Sequence, residues 1–179
     1  MGSFRALVEV VSATEPSDGA PDPDPGLDEV RARAAGHADV TRLIDLVARD
    51  KRCFAFGLLE IHPRVFTRLA RHPGVLAPSE LVIGHDGGGD LYLFDAITGR
   101  ARRVVHDEGW VTRGEHASLD ALMERIAWVS LESIEPDEVE ELLARPGARR
   151  ALDWALGIAS DALQDETRDA LREAGVIEE

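Results

Sequence analysis

The residues best suited to chemistry fall in two short runs, His85-Asp86-Gly87-Gly88-Gly89-Asp90 and His106-Asp107-Glu108-Gly109-Trp110. Successive glycines can cradle a phosphate, but such loops run into a helix N-terminus and usually carry a lysine or a Ser/Thr. Here the glycines lead into Leu91-Tyr92-Leu93-Phe94, where Tyr92 and Phe94 share a face at strand spacing. Asp86, Asp90 and Asp95 offer hard oxygen ligands, yet the helix-flanked loop of a calcium hand is missing. A zinc or iron site built from His85, His106, Asp86 and Asp107 is conceivable if two strands bring them together. Histidines at turns and strand ends are more often structural. His37, His62, His72, His85, His106 and His116 include no pair at the i, i+4 spacing that puts two ligands on one helix face.

Cys53 is the only cysteine, which excludes an internal disulfide and every zinc site made of paired thiolates. Its expected place is the core. Neither a nucleophile elbow nor a supported Ser-His-Asp order is present. The reading that remains for the glycine run is a hairpin, with positive φ at a glycine and side-chain to backbone hydrogen bonds from Asp86 and Asp90. Trp110, beside acids, has two readings of equal weight: the anchor of a protein contact, or a ring folded back over a sheet.

The elements that must hold these runs can be read from periodicity. Phe4 to Val11 is a short apolar segment that fits a strand or a helix. Ser12 to Gly26 carries four prolines and four unpaired acids (Glu15, Asp18, Asp22 and Asp24), the composition of an exposed linker or long loop. Apolar residues from Leu27 to Val47 recur at helical spacing, with Gly36 a break, so one long or two short helices are expected. Cys53 to Ile61 reads as one buried strand, and Pro63 opens a short helix to about Arg71. Leu81 to Gly84, Leu91 to Asp95 and Ala101 to His106 form a β-meander. Arg100, Arg102 and Arg103 suggest that its last strand is a solvated edge. Ser118 caps a helix whose stripe is Leu119, Leu122, Met123, Ile126 and Ala127. Three more helices follow: one from Pro136 to Pro146-Gly147, one from Ala148 to Leu163, and one from Asp165 to Ala174. Trp128 and Trp154 fall on apolar stripes.

The chain of 179 residues carries 34 acidic and 20 basic side chains, a net charge of −14. Such an excess repels a phosphate backbone and disfavours nucleic-acid binding, while it attracts basic partners. Residues 27–130 are nearly balanced, with 14 basic against 15 acidic; residues 131–179 hold 5 against 14. Lys51 is the only lysine, a usage expected of a GC-rich, bacterial genome. With no long apolar run and no basic, apolar leader, a cytoplasmic protein without membrane contact is expected.

The segment from Glu80 to Ala127 resembles the SUKH superfamily, which includes fungal regulators of cell-wall assembly and many bacterial immunity proteins. The resemblance is carried by Ile83-Gly84, Gly88-Gly89-Asp90, the strand Leu91 to Asp95, Thr98-Gly99, Val104 to Asp107, and Ala117-Ser118-Leu119 opening a helix. The family's early Leu-Pro helix and its Asn-Gly turn have no counterpart here, and the tail after Ser130 lies outside the common domain. The expected fold is α+β, a central, mainly antiparallel sheet of four to six strands packed with helices, followed by a C-terminal helical extension. Its expected units are an N-terminal segment and linker (1–26), the SUKH-like domain (27–130) and the acidic extension (131–179). The resemblance implies an immunity protein that occludes a cognate polymorphic toxin, for which a basic nuclease domain suits the charge. Asp86, Asp90, His106, Asp107, Glu108 and Trp110 are the expected partner-binding residues, with no catalytic role and no cofactor. The alternatives are a metal- or small-molecule-binding protein or enzyme using the HDGGGD turn, and a regulatory scaffold of the same fold.

Overall fold

The computed structural model of the chain describes residues 2–20, 22–23, 25–67 and 74–178. Asp24, His72 and the part of the expected helix beyond Thr67 lie outside the described residues. Among the described residues the fold is α+β. Six strands, β1 (Phe54–Phe56), β2 (Leu59–Ile61), β3 (Glu80–His85), β4 (Leu91–Asp95), β5 (Ala101–Val105) and β6 (Val111–His116), form one antiparallel sheet in which each pairs with the next in sequence. Helices α1 (Ser3–Ala13), α2 (Leu27–Arg33) and α3 (Ala38–Ile44) precede it; α4 (Leu119–Glu132), α5 (Val139–Ala144), α6 (Ala148–Ala159) and α7 (Asp165–Glu173) follow. None of these helices is long and apolar enough to cross a membrane.

The sheet is apolar at its centre and polar at one edge. Strand β3 is buried along its whole length and β4 along all but Asp95, as two near-continuous apolar runs require. Strand β6, absent from the sequence reading, forms the far edge. Val111, Arg113, Gly114 and Glu115 are exposed there, Gly114 has φ of +79°, and the pairing to β5 shifts register between Arg102 and Val104. A strand with one row of charged side chains in water lacks the alternation that would have revealed it. The Ala101 to His106 strand is therefore interior to the sheet, and the expected solvated edge lies one strand further on.

Two other expectations change. Cys53 to Ile61 is a tight hairpin instead of one strand: Phe54 pairs with Ile61 and Phe56 with Leu59, leaving all four apolar rings and chains buried. Gly57 turns the chain at φ of +52°, and a Cβ there would stand 2.2 Å from the Ser130 Oγ. That hydroxyl accepts from the Leu58 N–H at 3.1 Å, while the Leu58 carbonyl accepts from the Tyr92 hydroxyl at 2.9 Å. The turn is held by contacts distant in sequence, so its apolar letters concealed it. The acidic, proline-rich stretch is exposed over much of its length but is not a free tether. The Ser17 N–H donates to the Lys51 carbonyl at 3.0 Å, Arg52 donates to the Ser12 carbonyl at 2.8 Å, and Lys51 pairs with Asp22 at 2.7 Å.

The remaining helices follow their sequence signals. Phe4, Leu7, Val8 and Val11 recur at i, i+3, i+4 and i+7, which makes α1 a helix with a buried stripe. Gly36, with φ of +100°, separates α2 from α3. The Ser118 Oγ accepts from the Ala121 N–H at 3.2 Å at the start of α4. Pro136 opens a 3-10 turn that runs into α5. Helix α6 packs on α4, α1 and β1, with Trp154 edge-on to Phe54 at 5.7 Å between centroids. Trp154 and Leu163 are buried; Leu142 and Leu156 are half-buried against the same core.

Replacing Gly57 by alanine combines a strained φ, about 1 kcal/mol, with overpacking against Ser130, about 1–3 kcal/mol. We expect a loss of roughly 2–4 kcal/mol, read from the urea midpoint at unchanged m-value. An alanine variant as stable as the parent would show that the β1–β2 turn relaxes freely.

Candidate functional site

The glycine run is the turn between β3 and β4. The Asp86 N–H donates to the Asp90 carbonyl at 3.0 Å, the Gly89 N–H to the Asp86 carbonyl at 3.0 Å, and the Asp90 N–H to Asp86 Oδ1 at 2.9 Å. Gly89 adopts φ of +100°, which an L side chain rarely does. These bonds roll both aspartates inward. Asp86 is 5% and Asp90 7% exposed.

Two buried carboxylates side by side need a cation, and β5 supplies it. Arg103 lies opposite Tyr92 in the β4–β5 register, and its Nη2 donates to Asp86 Oδ2 at 2.9 Å and to Asp90 Oδ2 at 2.7 Å. The second oxygen of Asp90 accepts the backbone N–H of His106 at 3.0 Å and lies 3.1 Å from its ring Nδ1. The other ring nitrogen is 2.7 Å from Asp107 Oδ1. Burial pushes the Asp90 carboxyl up, but the His106 ring and N–H together with Arg103 outweigh it and hold it below its ordinary value. Burial, aided by the Asp86 charge, raises the Tyr92 hydroxyl well above its ordinary value, so it stays a neutral donor to Leu58.

This polar chain fastens the β3–β4 turn to the loop that follows β5. All four carboxylate oxygens of Asp86 and Asp90 are engaged within the protein. Of the residues anticipated for partner binding, these two therefore act as internal supports. His106 is half-buried between them and the surface, Asp107 and Glu108 are exposed, and Trp110 is half-buried. Glu108 pairs with Arg113 on β6, its Oε2 accepting from the Arg113 Nε at 3.0 Å. Trp110 packs partly on the core with its ring 6.1 Å from that of His106, the arrangement of a ring folded back on the protein. Its φ of +66° is left-handed, a conformation costly for a bulky side chain and concentrated at functional positions.

His85 and His106 have separate partners. The His85 ring Nδ1 is 2.8 Å from the Asp86 carbonyl oxygen, its Nε2 is 3.8 Å from Glu60, and its ring lies 5.0 Å from that of His62. Among the described residues no three His, Cys, Asp or Glu side chains are grouped so as to hold a metal ion. Cys53 is half-buried, and burial pushes its thiol up, away from the reactive thiolate.

Arg103 is the residue that sequence reasoning missed. It and Arg102 serve opposite faces of β5: Arg102 donates to both oxygens of Glu80 at 2.6 and 2.7 Å and to the Val75 carbonyl at 3.0 Å. The available signal was a pair of adjacent arginines on a strand, one for each face, after two strands bracketed by acids, Glu80 and Asp86 around β3 and Asp90 and Asp95 around β4.

Removing Arg103 as Arg103→Met strands two buried acids. Because the guanidinium is itself 37% exposed, the expected cost is about 2–3 kcal/mol, below the usual figure for a fully buried pair. Asp90, depressed in the fold, contributes stability that is present above its unfolded value near 4 and is lost as pH falls through its folded value. The stability gap between the parent and Asp90→Asn, measured by urea titration from pH 7 downward, is expected to close below about pH 4. A gap independent of pH would mean that the carboxylate charge is immaterial.

No protein-family model, curated protein or solved structure matches the chain.

Proposed function

We propose that the chain is a protein-binding module that presents the corner Asp107, Glu108 and Trp110 to a basic partner. The observation that carries this reading is Trp110, held half-exposed in a left-handed conformation beside two exposed acids, at the end of a loop bolted to the sheet through Asp90. Aromatic anchors in a preorganised setting dominate protein interfaces, since little freedom is lost when they dock. The inward-turned Asp86 and Asp90 fit this role better than a reactive one, because their oxygens are already committed to Arg103 and backbone donors.

The resemblance to the SUKH superfamily gives the partner its class. The module acts as an immunity protein: it seats its acidic corner over the basic cleft of a cognate toxin, a nuclease domain suiting the charge best, and blocks it in stoichiometric amounts. Long-range attraction from a chain of net charge −14 speeds the encounter, and burial of Trp110 slows release.

The reading expects a neighbouring reading frame that encodes a large secreted protein with a variable C-terminal domain, and the test uses that domain; a gene without such a neighbour would count against it. A one-to-one complex that abolishes toxin activity is expected. The double reversal Asp107→Arg with Glu108→Arg should slow association about tenfold and flatten its salt dependence. Trp110→Ala should cost about 2 kcal/mol, chiefly in the dissociation rate. Absence of a complex, or reversal and truncation variants that bind like the parent, would overturn the reading.

A further inference from the structure

His106 stands between an internal carboxylate and one at the exposed corner. Its ring Nδ1 is 3.1 Å from Asp90 Oδ1, and its Nε2 is 2.7 Å from Asp107 Oδ1. A carboxylate only accepts hydrogen bonds, so each contact needs a proton on the nitrogen that makes it. The neutral ring carries one N–H and satisfies one of the two acids; the imidazolium carries two and satisfies both.

The two acids are not equally free to yield when the second proton leaves. The Asp90 side chain is 10% exposed, its Oδ2 accepts from Arg103 at 2.7 Å, and its Oδ1 also holds the His106 backbone N–H at 3.0 Å. A bare ring nitrogen turned on that fixed oxygen would set two acceptors against each other with little water to separate them. The Asp107 side chain is 83% exposed and can rotate into solvent at little cost. The remaining proton therefore stays on Nδ1, facing Asp90, and Asp107 is let go. The other groups around the ring are engaged elsewhere. Arg103 on β5 is shared between Asp90 and Asp86, which follows β3; Glu108 pairs with Arg113 on β6; and Trp110 presents a ring tilted by 53° to that of His106. The His106 side chain is 35% exposed, so protons reach it directly from water.

We propose that His106 is a proton-operated catch on the acidic corner: charged, it ties Asp107 back toward the buried Asp90; neutral, it releases Asp107 to a basic partner. The device rests on the reading of Asp107 and Glu108 as partner contacts. A partner's arginine or lysine and the second ring proton compete for the same carboxylate. Binding therefore expels a proton and falling pH weakens the complex, one coupling seen from either side.

The catch is tested on the full chain alone, by NMR of the His106 ring nitrogens and the Asp107 carboxyl carbon between about pH 8.5 and pH 5, the span over which histidines serve as switches. At the upper end the ring is expected as the Nδ1–H tautomer. On acidification the Asp107 carbon is expected to shift in step with the second protonation of the ring. His106→Asn keeps a donor toward Asp90 but places nothing where Nε2 stood, so that step should vanish from Asp107. Association with the toxin domain should weaken about two- to fivefold more in the parent than in His106→Asn between about pH 8 and pH 5.5, the worth of one exposed ion pair. The proposal is overturned if the Asp107 carbon ignores the ring, if the single proton of the neutral ring sits on Nε2, or if parent and His106→Asn bind the toxin domain with the same pH dependence. A toxin domain that binds at no pH overturns the reading of the corner instead, and the NMR titration still decides the catch.

Discussion

Two carboxylates, Asp86 and Asp90, share the guanidinium of Arg103 in a setting nearly closed to water, and the geometry of one end of the sheet follows from that arrangement. Two buried carboxylates without a cation, or a lone arginine on an interior strand, would each be costly. Because the three come from the two ends of the β3–β4 turn and from β5, the strands must be in register before the charges are satisfied. Asp90 spends its remaining oxygen on His106 and thereby extends the constraint to a loop that local propensity alone would leave loose. The charge cluster ties the β3–β4 turn, β5 and the loop after it together.

Arg102 and Glu80 repeat the device on the other face of the same strand. Adjacent arginines thus clamp β5 from both sides, one toward the β3–β4 turn and one toward the start of β3. The centre of the sheet needs little such help, since β3 and β4 are buried by apolar chains alone. Polar fastening appears where apolar residues run out, at the ends of strands and along the approach to β6.

Much of the architecture was legible in the sequence, because helical periodicity and capping signals act locally. Ser118, Pro136, Gly147 and Gly175 stand where their backbone preferences place helix ends, and three meander strands emerge from short apolar runs between glycine turns. The elements hidden in the sequence are those that depend on distant contacts. Gly57 turns a hairpin against Ser130, more than seventy positions away in the chain, and no neighbour in sequence announces it. Strand β6 earns its place through main-chain pairing to β5 while its side chains face water. The spacing of the acids in the glycine turn announces hairpin closure but not their burial, which depends on Arg103, a residue whose sequence neighbours suggest a solvated strand.

The exposed margin of β6 has a consequence for how the molecule behaves in a crowd. An open sheet border is a template on which a neighbouring chain can crystallise its own backbone, and repeated stacking leads toward fibres. Here that border is broken by a left-handed glycine at 114, studded with Arg113 and Glu115, and thrown out of step with β5 by a bulge. The irregularity gives up a few hydrogen bonds and in return makes that border a poor template for edge-to-edge pairing.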